Sequence, residues 1–572
     1  MTEKKGIKDT SAQSPPAERE VPVPAVSWEE TIEGEGSDEP RPEKDLYVVG
    51  IGASAGGLEA FEQFFSNMPP DSGMAFVLIP HLAPEHKSVL GEILKRYTRM
   101  EVSEAENGMA VTPDCIRIIP PNKDMAIMNG RLQLLEPTIS RGIRHPIDFF
   151  FRSLAQDFRE KAVCIILSGT GSGGTLGLKE VKGEGGLVMA QDPGSCAYPG
   201  MPSSAIATGL VDYVLPAAKM PGQLLAYMKH RHIKPLVEAD MPEEKTTGGL
   251  QKILFLVRDH TGNDFSLYKS NMILRRVERR MAINQIETLS SYINYLRTNS
   301  HEIDLLHSEF LIRVTNFFRD QEAFEELAKT GFPLILEGKP EDYTVRIWVP
   351  GCSTGEEAYS LAILAHEYME NLRQRVRVQI FATDIDTEAI EIARNGMYPE
   401  GISADISPQR LSRFFIKKGN AYKIKKEIRE MVVFALQNMI KDPPFSKLDL
   451  ISCRNVLIYM GAELQRKVIP IFHYALNPEG LLFLGSSETT GGFSDCFRIV
   501  DKKCKIFQSK RSGRVAPLAL DLHHTFPSPG PASGMPVLPL KSGEPGIREM
   551  VESLLLHQYS PACIVINEGG DI

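Results

Sequence analysis

Between residues 45 and 232 short continuous apolar runs alternate with stretches in which apolar positions return every three or four residues. LYVVGIG, AFVLIPH, VCIILSG and GLVMAQD read as strands buried on both faces, and the helical periodicity between them supplies the crossovers that parallel strands need. CIRIIPPNKDMAIMNGRLQLLE reads instead as paired strands, with Asn129-Gly130 giving the positive-φ turn of a hairpin. In HPIDFFFRSLAQDFRE, residues Ile147, Phe150, Phe151, Leu154 and Phe158 fall on one helical face.

The same texture returns over 331–510. RIWVPGCSTGEEAYSLAILAHEYM and VQIFATDIDTEAIEIA are successive strand-turn-helix units, followed by DLISCRNVLIYM and GLLFLGSSE. A polar break at 233–249 and a helical region at 250–330, containing NMILRRVERRMAINQIETLSSYINYLR, separate the two regions. The predicted fold is α/β: two doubly wound, mostly parallel-sheet domains at 45–232 and 331–510, the second preceded by a small helical domain. Residues 1–44 are too polar to offset the entropy of ordering and predict a disordered arm. Residues 511–545 are rich in Pro and Gly and predict a linker. The last stretch, 546–572, offers one amphipathic helix and one strand, which is too little for a core, so the chain is expected to stop inside a third domain.

Composition narrows the classes further. A length of 572 residues calls for several cores, and no apolar run approaches the roughly 20 residues that span a bilayer. The start has no apolar signal segment, so a cytoplasmic chain without membrane insertion is expected. The eight cysteines contain no CxxC pair, which predicts free thiols and no metal centre. A net charge of −9 gives no general attraction to nucleic acid.

Two stretches match the G-x-S-x-G turn that can present a serine nucleophile: Gly52-Ala53-Ser54-Ala55-Gly56 and Gly351-Cys352-Ser353-Thr354-Gly355. The first is followed by a strand ending in His81, and the ends of adjacent parallel strands share one crevice, so Ser54 and His81 can meet as nucleophile and base. The alternative is a turn that needs small residues beside a strand-end histidine. The second is followed by a strand ending in Asp384 and no histidine. A Gly-rich turn with an acid on the next strand is the pattern of a nucleoside site, the acid accepting from ribose hydroxyls, and Ser353 is then a turn residue. G-x-G-x-x-G is absent, and the carboxylates of GEE stand where a pyrophosphate would bind, so a cationic adenosyl ligand fits better than a dinucleotide. The arginines Arg275, Arg276, Arg279 and Arg280 recur at helical spacing and predict either a solvated face or one that steers acidic partner helices.

IGASAGG, PHLAPEH, LSGTGSGGTLG and QDPGSCAYPGMPSSAIATGLVDYVLP together resemble the CheB family of chemotaxis receptor methylesterases over about 45–230. That resemblance implies Ser54 as nucleophile, His81 as base and the Thr170 amide at the oxyanion site. Where the family has T-G-x-G-x-D-G, this chain has Gly173 in place of the triad acid, which implies a strongly impaired esterase unless a water or another carboxylate, such as Asp192, partly offsets the change. TNFFRD, PGCSTGEEAYS, FATDID, ALQNM and SCRNVLIYM are similar to the CheR family of receptor glutamate methyltransferases over about 250–510. This implies S-adenosyl-L-methionine as cofactor, with Asp384 on the ribose and Glu357 at the amine. Thr315, Arg319, Asn438, Met439, Arg454 and Asn455 would frame it, and Arg319 and Tyr459 would orient the reacting groups. Arg313 stands where the enteric pattern has Asn. The tail LLLHQYSPACIVINEGGDI resembles the opening of a PAS domain. The implied partners are chemoreceptor-like proteins with acidic helices, and signalling kinases. A glutamate methyltransferase with an impaired esterase leads; a two-way enzyme and a non-catalytic scaffold are the alternatives.

Overall fold

The computed structural model describes residues 46–81, 90–136, 145–231, 243–340, 342–370 and 376–510. The arm expected at 1–44, the linker at 511–545 and the PAS-like start at 546–572 lie outside them.

The first sheet is built from β1 (Tyr47–Ala53), β2 (Met74–Pro80), β3 (Glu101–Glu104) and β4 (Cys115–Ile118), then, after a hairpin, β7 (Ala162–Ile166), β8 (Leu187–Gln191) and β9 (Tyr213–Leu215). Its order is β3-β4-β2-β1-β7-β8-β9, and every pairing is parallel. β1, β7 and β8 are buried at every position, which is why they read as unbroken apolar runs. The hairpin is β5 (Asp124–Met128) and β6 (Arg131–Leu135), turned by Asn129 and Gly130 at φ 51° and 71°. The helix Pro146–Phe158 lays Ile147, Phe150, Phe151 and Leu154 into the core below the sheet.

The second sheet contains β10 (Thr344–Pro350) and β11 (Arg377–Asp384). A small antiparallel sheet follows, of β12 (Met397–Pro399), β13 (Phe415–Lys418) and β14 (Ala421–Ile424). The main sheet resumes with β15 (Val432–Leu436), β16 (Leu448–Cys453), β17 (Leu476–Leu484), β18 (Phe497–Asp501) and β19 (Ile506–Ser509). Its order is β15-β11-β10-β16-β17-β19-β18, parallel except at β17-β19 and β19-β18. Chain order reverses on either side of β1 and of β10, and an open α/β sheet places its ligand crevice at such points.

The helices Glu243–Thr261, Ser270–Ile283, Leu289–Thr298 and Ser300–Phe310 form the small domain around Ile253, Val257, Val277, Tyr292 and Leu306. Its first helix starts at Glu243, so the polar stretch expected to end at 249 as linker is helical from there on. Gly248 and Gly249 weaken a helix by propensity, but a Cβ at Gly249 would fall 2.3 Å from Leu289 Cδ2. Close helix packing uses the missing side chain.

The arginine-rich helix also departs from expectation. Arg275 is exposed, but Arg276, Arg279 and Arg280 are buried, Arg279 completely. Arg279 pairs with Asp212 of the first domain and Glu309 of the helical domain, and donates to the Gly186 carbonyl. Lys182 bridges the same two carboxylates at 2.6 and 2.7 Å. Arg280 pairs with Glu302, which also accepts from Tyr292. This face neither meets solvent nor is open to a partner's acidic helix; it joins the helical domain to the first one. A buried guanidinium is tolerable here because each charge has an opposite charge and further hydrogen bonds. Arg152 to Asp405, His145 to Ser403 and Tyr213 to the Ile283 carbonyl extend the contact. All described residues accordingly fall in one compact unit.

Candidate functional site

At the end of β1, Ser54 donates its backbone N–H to the Ser168 carbonyl at 2.9 Å, and the His81 N–H donates to the Ala53 carbonyl at 2.9 Å. Ser54 therefore sits between the His81 strand end and the loop 168–174. A Cβ on Gly169 would stand 3.0 Å from the Ser54 Cβ, so this wall is closely applied. Gly56, at φ 75°, turns the chain into the helix Gly57–Phe65. His81 is exposed, and its imidazole makes no hydrogen bond to a described residue. The Asp192 carboxylate accepts from the Gly194 N–H at 3.1 Å, within its own turn, and makes no hydrogen bond to His81. Asp148, 3% exposed, is likewise committed. It accepts from the N–H groups of Gly174, Leu176 and Gly177 at 2.8–2.9 Å and caps the helix Thr175–Gly183. At Gly173 itself there is room: a Cβ would meet Ile147 Cδ1 at 3.6 Å, an ordinary contact.

The second turn has different chemistry. Asp384, at the end of β11, accepts from the Ser353 N–H at 2.8 Å and the Asp386 N–H at 3.0 Å, so it ties the turn to the next strand. Ser353 sits at φ 49°, between Gly351 and Gly355 at 71° and 92°. Among the described residues no histidine lines its cleft, and the Ser353 Oγ hydrogen-bonds no side chain there.

That cleft, together with the open space at its mouth, amounts to about 1100 Å³. Every residue expected to frame the cofactor lines it: Thr315, Arg319, Glu357, Asp384, Asn438, Met439, Arg454 and Asn455, together with Tyr459. Ser54 and His81 belong to the other sheet. Burial pushes the Glu357 carboxyl up to about 7, against the opposing pull of Arg454 and the 2.6 Å hydrogen bond from Ser452. Burial also pushes Asp384 up to about 6, although the Ser353 and Asp386 N–H groups favour its anion. Several buried polar atoms of the lining have no partner among the described residues: Ser353 Oγ, Gln437 Oε1, and Nε and Nη1 of Arg454. Arg454 is otherwise fixed, by Asp320 at 2.7 Å and by the rings of Phe324 and Phe483 at 4.8 and 4.7 Å. Acids that titrate high and orphaned polar atoms in one cavity are what a polar, cationic ligand would satisfy.

Other residues of the site were not foreseen. Asn263, Asp264, Phe265 and Tyr268 of the helical domain form part of the wall. Glu488 accepts from the N–H groups of Gly485, Asn455, Leu457 and Ile458, and so holds the loop that carries Asn455 and leads to Tyr459. The acid closing GLLFLGSSE was its only sequence signal. Arg313, whose contact the sequence left open, pairs with Asp386 and with Glu388 at the cleft rim.

Family models match three consecutive segments: CheB methylesterase over 49–224, CheR methyltransferase all-alpha domain over 249–311, and CheR methyltransferase SAM binding domain over 313–506. A chemotaxis protein methyltransferase of Borreliella burgdorferi is 31% identical over 255 residues, covering 43% of this chain and 90% of the relative. The chain belongs to the chemotaxis methyltransferase family. The family's Escherichia coli member is 30% identical over 250 residues, 42% of this chain and 83% of its own length. A 104.1 kDa protein of Rhodobacter capsulatus is 37% identical over 449 residues, which are 75% of this chain. The chain spans about half of that relative, 47% of its length. Among solved structures, the Thermotoga maritima CheB methylesterase catalytic domain is 32% identical, with 31% of this chain and 97% of that chain covered at a TM-score of 0.30. The chain thus carries a methylesterase-type domain followed by an S-adenosyl-L-methionine-binding methyltransferase domain. No helix among the described residues is long and apolar enough to cross a membrane.

Proposed function

We propose that the chain transfers a methyl group to glutamate side chains of chemoreceptor-type proteins and that its methylesterase-type domain hydrolyses esters weakly. The observation that carries the first half is the pair of buried acids, Glu357 and Asp384, around a serine turn whose cleft holds no histidine among the described residues. When bound, S-adenosyl-L-methionine supplies an electrophilic methyl group on a sulfonium. Asp384 would accept from the ribose hydroxyls, Glu357 would pair with the amino group, and the unpartnered Arg454 and Ser353 atoms would find acceptors and donors. Thr315, Asn438, Met439 and Asn455 complete the frame.

A glutamate acceptor with an ordinary pKa of about 4.3 is already an anion at pH 7, so the chain need not remove a proton. Its task is alignment and exclusion of water. Arg319, tied to the Val314 carbonyl at 3.1 Å, and Tyr459 are the groups suited to orient the incoming carboxylate. Incubation with labelled cofactor and receptor membranes, followed by alkaline release of methanol, tests this reading. Label that stays absent, or persists undiminished in Asp384→Ala, overturns it.

The weak esterase follows from Gly173. Without a carboxylate there, no described residue fixes the His81 tautomer or stabilises its protonated form; in serine proteases that loss costs about 10⁴ in turnover.

A further inference from the structure

The helix Thr175–Gly183 belongs to the esterase-type domain, yet its outer side packs against the segment 314–316, part of which walls the methyl-transfer cleft. Gly183 is packed so tightly that a Cβ there would fall 2.2 Å from Val314 Cγ2. One turn earlier, Glu180 Oε1 accepts from Asn316 Nδ2 at 3.0 Å. Lys179 Nζ lies 3.8 Å from Glu356 Oε1, on the first residue of the helix that follows the Ser353 turn. Leu176 is buried in the core of the methyltransferase sheet. Val314 and Asn316 flank Thr315, and Arg319 hangs from the Val314 carbonyl.

The same helix end reaches Tyr459 by a second route. The carbonyls of Lys182 and Gly183 accept from Arg276, on the helix Ser270–Ile283. Just before that helix, the Lys269 N–H donates to the Tyr459 carbonyl at 3.0 Å, and the Gly461 N–H to the Leu267 carbonyl at 2.9 Å. Both segments that bring Arg319 and Tyr459 to the cleft are therefore anchored on the esterase-type domain.

We infer that this domain is a positioning subunit of the methyltransferase: the helix Thr175–Gly183 fixes the segment 313–319 and the strap ahead of Tyr459, whatever the esterase itself does. The inference rests on the methyltransferase reading above. Glu180, Gly183 and Arg276 are positioning residues, since none of them lines the Ser353 turn and each acts through a neighbour.

The test uses the full chain with Gly183→Ala, Glu180→Ala and Glu180→Gln. The alanine at 183 must displace Val314, and the alanine at 180 frees Asn316, whereas glutamine keeps an acceptor oxygen. Misplacement on the ångström scale far from the chemistry costs up to about 100-fold, so both alanine variants should lose roughly 10- to 100-fold in kcat/KM for methyl transfer, Glu180→Ala with an unchanged melting temperature and Gly183→Ala by more than the stability lost to its clash accounts for. Glu180→Gln should stay close to the unsubstituted protein. Full activity in both alanine variants, a Glu180→Gln as impaired as Glu180→Ala, or losses that only track a lowered melting temperature would each overturn the inference. Calorimetry with the cofactor separates the two readings: no binding by the unsubstituted chain removes the methyltransferase reading and this one with it, while intact binding beside insensitive turnover removes this one alone.

Discussion

Cofactor affinity should fall steeply as the pH is lowered from 7.5 to 5.5. In the proposed complex Glu357 and Asp384 act as anions, whereas burial raises them to about 7 and about 6 in the cofactor-free fold. Raising Glu357 from 4.5 to about 7 corresponds to about 3 kcal/mol of disfavoured ionisation, which a bound cation would relieve. The sign follows from proton counts. Between the unfolded and folded pKa values the empty fold holds more protons than the unfolded chain, so its stability falls as pH rises through that window, and binding a cation there releases protons. The anionic fraction of Glu357 drops about 25-fold between pH 7.5 and 5.5, and that of Asp384 about 4-fold, so Kd should rise on the order of 100-fold; groups at ordinary values would change it by less than about 1.2-fold. Calorimetry in two buffers of different ionisation enthalpy measures both Kd and the protons released. Glu357→Gln should bind weakly and flatten the profile to the Asp384 part. A Kd constant within about 2-fold across this range, or an equally steep profile in Glu357→Gln, would refute the assignment of these acids.

Asp384→Ala removes the ribose acceptor and the tie on the Ser353 N–H, and calorimetry should detect no cofactor binding. Gly173→Asp restores a carboxylate where a side chain fits, so hydrolysis of methylated receptor should rise by up to about 10⁴; equal rates would show that the loop is not where the acid acts. Arg279→Leu leaves Asp212 and Glu309 with Lys182 between them and Glu309 with a 3.8 Å contact to Arg276, so it should cost about 3–5 kcal/mol in denaturant unfolding, while exposed Arg275→Ala should stay within about 0.5 kcal/mol.

The parts legible in the sequence are those set by local rules. β1, β7 and β8 show as apolar runs because both their faces are covered, and the 129–130 hairpin shows because two successive positive φ angles select Asn-Gly. Asp384 shows because a strand-end acid beside a glycine turn carries its chemistry in its spacing. The arginines of Ser270–Ile283 did not show. Helical spacing places Arg276, Arg279 and Arg280 near one another but is silent on whether water or Asp212, Glu309 and Glu302 lie opposite. The cleft wall of Asn263, Phe265 and Tyr268 was hidden for the same reason, being contributed by another domain across long sequence separations.

Two glycines flanking one helix separate what the fold demands from what it permits. At Gly183 a single added carbon collides with Val314, so the contact between the domains requires glycine there. At Gly173, just ahead of the helix, the nearest atom to an added carbon is 3.6 Å away, and Asp148 caps the helix whatever stands there. The glycine at 173 is thus no consequence of packing: the helix can keep its hold on the segment 313–319 with or without an acid there. Esterase chemistry and support of the cleft are physically separable, and Gly173→Asp should change hydrolysis while leaving cofactor affinity where it was.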